Sequence, residues 1–291
     1  MEGFGDTPQK PGFKNTIKDK EGEINLQELK VRYYENELED DFAENNGNIK
    51  KVKIDKNYKY LHKNIFWKIG AFIVYRLVFY IPAFIYAKVK FGLKIVGKDK
   101  IKEYRKQNKK GYFVYHNHTQ EILDTFLPSI VNIPTKAYII ANADNVSIKG
   151  LKTANKMMGA IPIPEDKEST KNFIEAINYH LEKGKPISIY PEAHVWPYYT
   201  GIRNFKAVSF KYPVKQNVPV FVCTTTYQKN KKGKAKVVLY IDGPFYPNVD
   251  LPPKQAQEDL REQVYNTMVE RAKTSNIEVI KYKLFGTHSK S

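Results

Sequence analysis

Residues 112–126 read YFVYHNHTQEILDTF, and this stretch decides the fold. The apolar run Tyr112 to Tyr115 predicts a buried strand, and the letters after it predict a loop that carries His118 out of the sheet toward Asp124. On one ideal helix, six residues turn through about 600°, which would put His118 and Asp124 on different faces. A loop must therefore bring the two side chains together. A histidine delivered by a strand, with a carboxylate near enough to orient its ring, is what a general base needs.

Further apolar runs at residues 137–141, 186–190, 218–225 and 236–241 predict strands. Helical periodicity separates several of them. Residues 169–182 repeat Phe173, Ile177 and Leu181 at four-residue intervals before Gly184, and residues 255–273 place Leu260, Val264, Met268 and Ala272 on one stripe. Strands alternating with helices predict an α/β domain with a mixed, largely parallel sheet flanked by helices. Ligands of such a sheet sit where strand ends meet loops, which is where His118 and Glu192 fall.

The chain has 291 residues and 42% hydrophobic side chains, enough for one large domain with an appended region. Residues 1–55 read as a polar, loosely ordered extension with a short helix near Leu26 to Phe42, residues 56–92 as a membrane-contacting helical region, and residues 93–291 as the catalytic domain. The single cysteine, Cys223, lies among Val220, Phe221 and Val222 and is expected to be a buried thiol. No intramolecular disulfide can form.

The formal net charge of +17 is unevenly distributed, with −6 on residues 1–48 and +23 on the remainder. Such a field attracts polyanions, either nucleic acid or an anionic membrane surface. Aromatic residues favour the membrane. From Ile65 to Ala87 the only charges are Lys68 and Arg76, and Lys63, Lys88, Lys90 and Lys94 flank the segment, as expected of a helix lying among lipid headgroups. Arg76 and the interruption at Pro82 disfavour a simple spanning helix. The alternative is a buried helical hairpin. Residues 1–20 lack the apolar core of a signal peptide, which places the catalytic part on the cytoplasmic face of the cell membrane, peripheral or monotopic.

Residues 157–166 (MMGAIPIPED), 190–205 (YPEAHVWPYYTGIRNF) and 218–227 (VPVFVCTTTY) follow Asn117-His118 and Asp124 in an order that resembles the four blocks of the glycerolipid acyltransferases. The resemblance is strongest to the 1-acylglycerol-3-phosphate (lysophosphatidic acid) acyltransferases and covers about residues 93–245. It implies a glycerol-3-phosphate acyltransferase-like fold and transfer of a fatty acyl chain from a thioester to a lysophospholipid hydroxyl. His118 would be the base and Asp124 its partner; Asn117, Glu192, Arg203, Lys206 and Lys167 would contact substrate. The implied partners are an anionic membrane surface, a lysophospholipid acceptor, and acyl-CoA or acyl carrier protein as thioester co-substrate, with no cofactor, metal or nucleic acid. Three positions depart from the pattern: five residues separate His118 from Asp124 instead of four, Glu165 stands where an arginine is expected, and Ala193 replaces the glycine of Pro-Glu-Gly. A second register, His116 with Glu121, has the four-residue gap but lacks the preceding asparagine.

Overall fold

The structure, a computed structural model, describes residues 16–19, 22–25, 31–42, 52–147 and 152–285. Its centre is a seven-stranded sheet of β4 (Lys94–Val96), β5 (Phe113–His116), β6 (Tyr138–Ala141), β7 (Ala160–Pro162), β8 (Ile187–Ile189), β9 (Val220–Lys229) and β10 (Ala235–Phe245). The strand order is β4-β10-β9-β5-β8-β6-β7. Only the β9–β10 hairpin is antiparallel; the other five pairings are parallel. β5 lies at the middle of the order, buried on both faces. A fully covered strand reads as the continuous apolar run seen at its residues.

Alternation along β5 and β9 divides the core. Tyr112, Val114, Phe221 and Cys223 face one side, packed against α4 (Glu121–Asn132) and α3 (Lys98–Gln107). Phe113, Tyr115, Val220 and Val222 face the other, against α6 (Lys167–Glu182) and α8 (Pro253–Ala272). The period of two in a strand produces this division directly. Burial pushes the Cys223 thiol up, so it serves as an apolar side chain. α6 begins two residues before Ser169, the start expected from the sequence, because Asp166 and Ser169 form a reciprocal cap at its first turn. The remaining helices are α5 (Lys152–Met158) and α7 (Lys211–Gln216).

Residues 65–91 form one long helix and not a hairpin. α1 (Ile65–Ile73) runs through a π-helical stretch, Val74–Tyr80, into α2 (Ile81–Phe91). Pro82 does not interrupt it, contrary to the expectation from sequence. The π stretch resets the hydrogen-bond register, so that proline falls in the first turn of α2, where its missing N–H is tolerated. Gly92, at φ 58°, ends the helix in the left-handed conformation that favours glycine. Ala71, Tyr75, Ala83, Ala87 and Phe91 face the protein, and the Tyr75 hydroxyl accepts a hydrogen bond from the Ala137 N–H at 2.9 Å. The opposite face exposes Ile65, Ile69, Phe72, Leu77, Ile81, Ile85 and Val89. These recur every three or four residues except across Phe72 to Leu77, where the wider turn inserts one more.

The helix expected near Leu26 to Phe42 is also corrected. Residues 26–30 lie outside the described part, and Val31–Tyr34 form strand β3, parallel to β11 (Lys281–Leu284). The β-branched and aromatic letters VRYY suit a strand, and a partner from the far end of the chain supplies the pairing. β1 (Thr16–Asp19) and β2 (Gly22–Asn25) pair antiparallel.

Candidate active site

β5 ends at His116, and the chain continues its ladder with a side chain. The Asn117 amide donates to the Thr225 carbonyl at 3.0 Å and accepts from the Thr225 N–H at 2.7 Å, extending the pairing of β5 with β9 by one residue. His118 is therefore the first residue free of the sheet. Its Nδ1 lies 2.7 Å from Asp124 Oδ2. The ring is 22% exposed while Asp124 is buried, so the imidazole has one edge held and another open to a substrate.

Asp124 lies in the first turn of α4, and its Oδ2 also accepts the N–H groups of Thr119 (2.9 Å) and Gln120 (2.8 Å). The five-residue spacing between His118 and Asp124 still lets the two side chains meet. Burial pushes the Asp124 carboxyl up, opposed by His118 and by the two backbone donors. Three donors converging on one oxygen favour the ionised form. An ionised Asp124 fixes the proton on His118 Nδ1 and leaves Nε2 with its lone pair.

Two side chains that sequence reasoning missed complete the frame. Pro128 has no N–H to give to the carbonyl of Asp124, four residues earlier in α4. The Tyr190 hydroxyl donates to that carbonyl at 2.5 Å, and the Tyr190 ring lies 4.6 Å from the His118 ring. Tyr227, on β9, lies within hydrogen-bond distance of Thr119 Oγ1 at 2.7 Å and of Gln120 Nε2 at 2.9 Å. Tyr190 stands two residues before Glu192 at the end of β8, a placement the strand pattern could have flagged. Tyr227 lies 108 residues from Thr119, and nothing local in sequence announces the contact.

The Pro-Glu segment supports the loop from behind. Glu192 Oε2 accepts the His118 N–H at 2.8 Å, and Glu192 Oε1 accepts the Arg203 N–H at 2.9 Å. Arg203 Nη2 lies 3.3 Å from Glu192 Oε2 and also donates to the His194 carbonyl. Burial pushes Glu192 up, and the Arg203 guanidinium with the two N–H groups pulls it back. Ala193 takes φ 65°, a left-handed backbone that glycine would adopt without strain.

The expected substrate contacts are therefore redistributed. Arg203 is 1% exposed, paired to Glu192 and packed over the Trp196 ring at 5.1 Å, so it is a buried counterion instead of a surface phosphate clamp. Asn117 and Glu192 are also buried, with the polar atoms of Asn117 turned to the β9 backbone and those of Glu192 to the N–H groups of His118 and Arg203. Lys206 and Lys167 are exposed. Lys167 opens α6 beyond β7, and β7 lies three strand spacings, about 14 Å, from β5. In the alternative register, His116 is buried against Tyr190 with Nε2 3.3 Å from Ser188 Oγ, and burial pushes its pKa down to about 3. It faces the interior of the sheet and not a substrate. Among the described residues no three His, Cys, Asp or Glu side chains converge as a metal site would require.

A buried aspartate thus orders a partly exposed histidine at the C-terminal end of a central parallel strand, the geometry that a general base requires. Residues 92–249, more than half of the chain, match the family described as Acyltransferase, and the chain belongs to that family. No curated protein matches it. Among solved structures, the chain is similar to the crystal structure of the 1-acyl-sn-glycerophosphate (LPA) acyltransferase PlsC from Thermotoga maritima, at 17% identity and a TM-score of 0.45, over 73% of this chain and 95% of that one. At that overlap the likeness carries no weight for the chemistry.

Proposed function

We propose that this acyltransferase moves a fatty acyl chain from a thioester to the free hydroxyl of a lysophospholipid, with 1-acylglycerol-3-phosphate as the acceptor, in phospholipid biosynthesis. The observation that carries the mechanism is the 2.7 Å contact between His118 Nδ1 and Asp124 Oδ2 beside an exposed ring edge. His118 Nε2 takes the hydroxyl proton as the acceptor oxygen attacks the thioester carbonyl. Asp124 stabilises the imidazolium that forms. Collapse of the tetrahedral intermediate breaks the carbon–sulfur bond, and the thiolate leaves with the proton returned by His118. The reaction needs no nucleophile from the protein, and proton transfer of this kind contributes about 10²- to 10⁴-fold. The donor is acyl-CoA or acyl carrier protein, whose anionic character suits the +23 carried by residues 49–291.

The exposed apolar stripe of residues 65–91 supports attachment to an anionic membrane at its cytoplasmic face, peripheral or monotopic. By length and composition this helix is also long and apolar enough to cross a bilayer, and Phe66 and Val89 near its ends are 79% and 81% exposed. Lysines at both ends and Arg76 midway favour a helix lying in the interface.

The burial of Arg203 favours a second acceptor. With Glu165 exposed at the arginine position and Arg203 turned inward, the phosphomonoester lacks its expected guanidinium, which suits another lyso-lipid or a glycolipid hydroxyl. Incubation of the purified protein with labelled acyl thioester and a panel of lyso-lipids, read by mass spectrometry, tests both readings. Diacyl product from lysophosphatidate supports the first, product only from neutral or zwitterionic acceptors supports the second, and no product with any acceptor leaves a lipid-binding protein without activity.

A further inference from the structure

The family match ends at residue 249, yet side chains from both ends of the chain hold the loop that supports His118. The backbone of His118 is fixed twice by residues 192–196: its N–H donates to Glu192 Oε2 at 2.8 Å, and its carbonyl accepts from the Trp196 N–H at 3.1 Å. Trp196 is 0% exposed. Its indole N–H donates to the Asp40 carbonyl at 2.8 Å, and its ring stacks on Tyr282 with centroids 4.9 Å apart and planes 15° from parallel. Tyr34 and Phe42 close the cage at 4.7 Å and 5.2 Å.

Tyr34 and Tyr282 come from β3 and β11, which among the described residues pair only with each other, in a sheet separate from the seven-stranded one. Apolar packing alone would leave the loop backbone unspecified. Here two hydrogen bonds reach that backbone, the Phe42 N–H to the Val195 carbonyl at 3.3 Å and the Tyr282 hydroxyl to the Pro197 carbonyl at 2.9 Å, and a third, Trp196 Nε1 to the Asp40 carbonyl, fixes the indole between them. We propose that residues 31–42 and 277–285 form a strap that positions His118, with Trp196 as the anchored side chain and Tyr282 as the positioning residue contributed from outside the family region. This rests on the reading of His118 as the base.

Removing the strap's grip shifts the backbone of the base without touching substrate. Since misplacement of a catalytic group by about 1 Å costs on the order of a hundredfold, Tyr282→Ala in the full chain is expected to lower kcat by about ten- to a hundredfold while both Michaelis constants stay within about twofold. Tyr282→Phe keeps the stack but loses the bond to the Pro197 carbonyl, and its kcat is expected to fall between those of Tyr282→Ala and wild type. The downfield proton resonance of a histidine Nδ1–H bonded to a carboxylate, assigned through its loss in His118→Ala, is expected to shift or broaden in Tyr282→Ala. If Tyr282→Ala does not fold, Tyr282→Leu, which keeps apolar bulk, carries the same test. A folded variant with unchanged kcat, a raised Michaelis constant at unchanged kcat, or reduced kcat with an unaltered resonance would each overturn the strap. Activity surviving in His118→Ala would instead remove the base itself. An inactive His118→Ala beside a fully active Tyr282→Ala removes the strap alone.

Discussion

Tyr190 joins the two members of the His-Asp pair, because its ring lies against His118 and its hydroxyl fills the Asp124 carbonyl vacated by Pro128. Tyr190→Phe keeps the ring and strands a buried carbonyl. The expected cost is about 1–3 kcal/mol in stability, with a fall in kcat that exceeds any change in Michaelis constants. Urea denaturation and steady-state kinetics on the same preparation check it; an unchanged stability would show that the carbonyl does not depend on the hydroxyl. At this scale the sequence showed His118 and Asp124 through their order after an apolar run, and it showed Glu192 through its place after the run at residues 186–190. It did not show that Asn117, Glu192 and Arg203 turn their polar atoms inward. Residue type predicts that a guanidinium can grip phosphate; only packing decides that Trp196 and Glu192 occupy this one.

Among the elements, β10 is tied to two helices by one carboxylate. Asp242 accepts from Arg271 on α8 through Nε and Nη2, both at 2.8 Å, and from Lys100 on α3 at 2.8 Å. Burial alone would push Asp242 up, but the hydrogen bonds from Arg271 and Lys100 hold it below the ordinary carboxylate value. The folded carboxyl thus binds its proton less readily than the unfolded one. Its stabilising contribution is full above the unfolded pKa of about 4 and is lost as pH falls through the lower folded value. Asp242→Asn is expected to cost about 1–2 kcal/mol at pH 7, the lower part of the range for charged hydrogen bonds because both cations keep about a third of their surface in water. The gap between variant and wild type should narrow toward pH 3 in urea titrations. A gap independent of pH would contradict the assignment.

The helix of residues 65–91 shows where element-level reading stopped. Its apolar content and lysine flanks were legible, and its continuity was not, because a proline's effect depends on the hydrogen-bond register it meets. Replacing Phe66, Phe72 and Val89 by glutamate touches only the exposed face. Sedimentation with vesicles containing anionic lipid is expected to show loss of most binding while urea stability stays within about 0.5 kcal/mol of wild type. High salt should release the unmodified protein only in part, since apolar insertion resists screening. Undiminished binding by the triple variant would place the attachment on another surface.

For the molecule as a whole, five apolar runs became the five interior strands of the seven-stranded sheet, and their alternation with helices was sufficient for a largely parallel α/β architecture. The edge strands β4 and β7 were not legible although β8 is equally short, since Lys94 opens the one and Pro162 and Pro164 interrupt the apolar letters of the other. Nor were β3 and β11, whose pairing joins residues about 250 positions apart in the sequence. Their place beside Trp196 makes the ends of the chain part of the catalytic frame, a relation no local pattern encodes.

The central claim is that His118, oriented by Asp124, is the base of an acyl transfer to a lipid hydroxyl. Its most direct measurement is the rate of diacyl product formation from a labelled acyl thioester and whichever lyso-lipid the panel identifies, for wild type, His118→Ala, Asp124→Asn and His116→Ala. The account predicts no enzymatic turnover above the uncatalysed rate for His118→Ala, a kcat loss of about 10²- to 10⁴-fold for Asp124→Asn through loss of tautomer control, and turnover by His116→Ala that exceeds both. Turnover by a folded His118→Ala at a rate near wild type, with His116→Ala inactive, would contradict it.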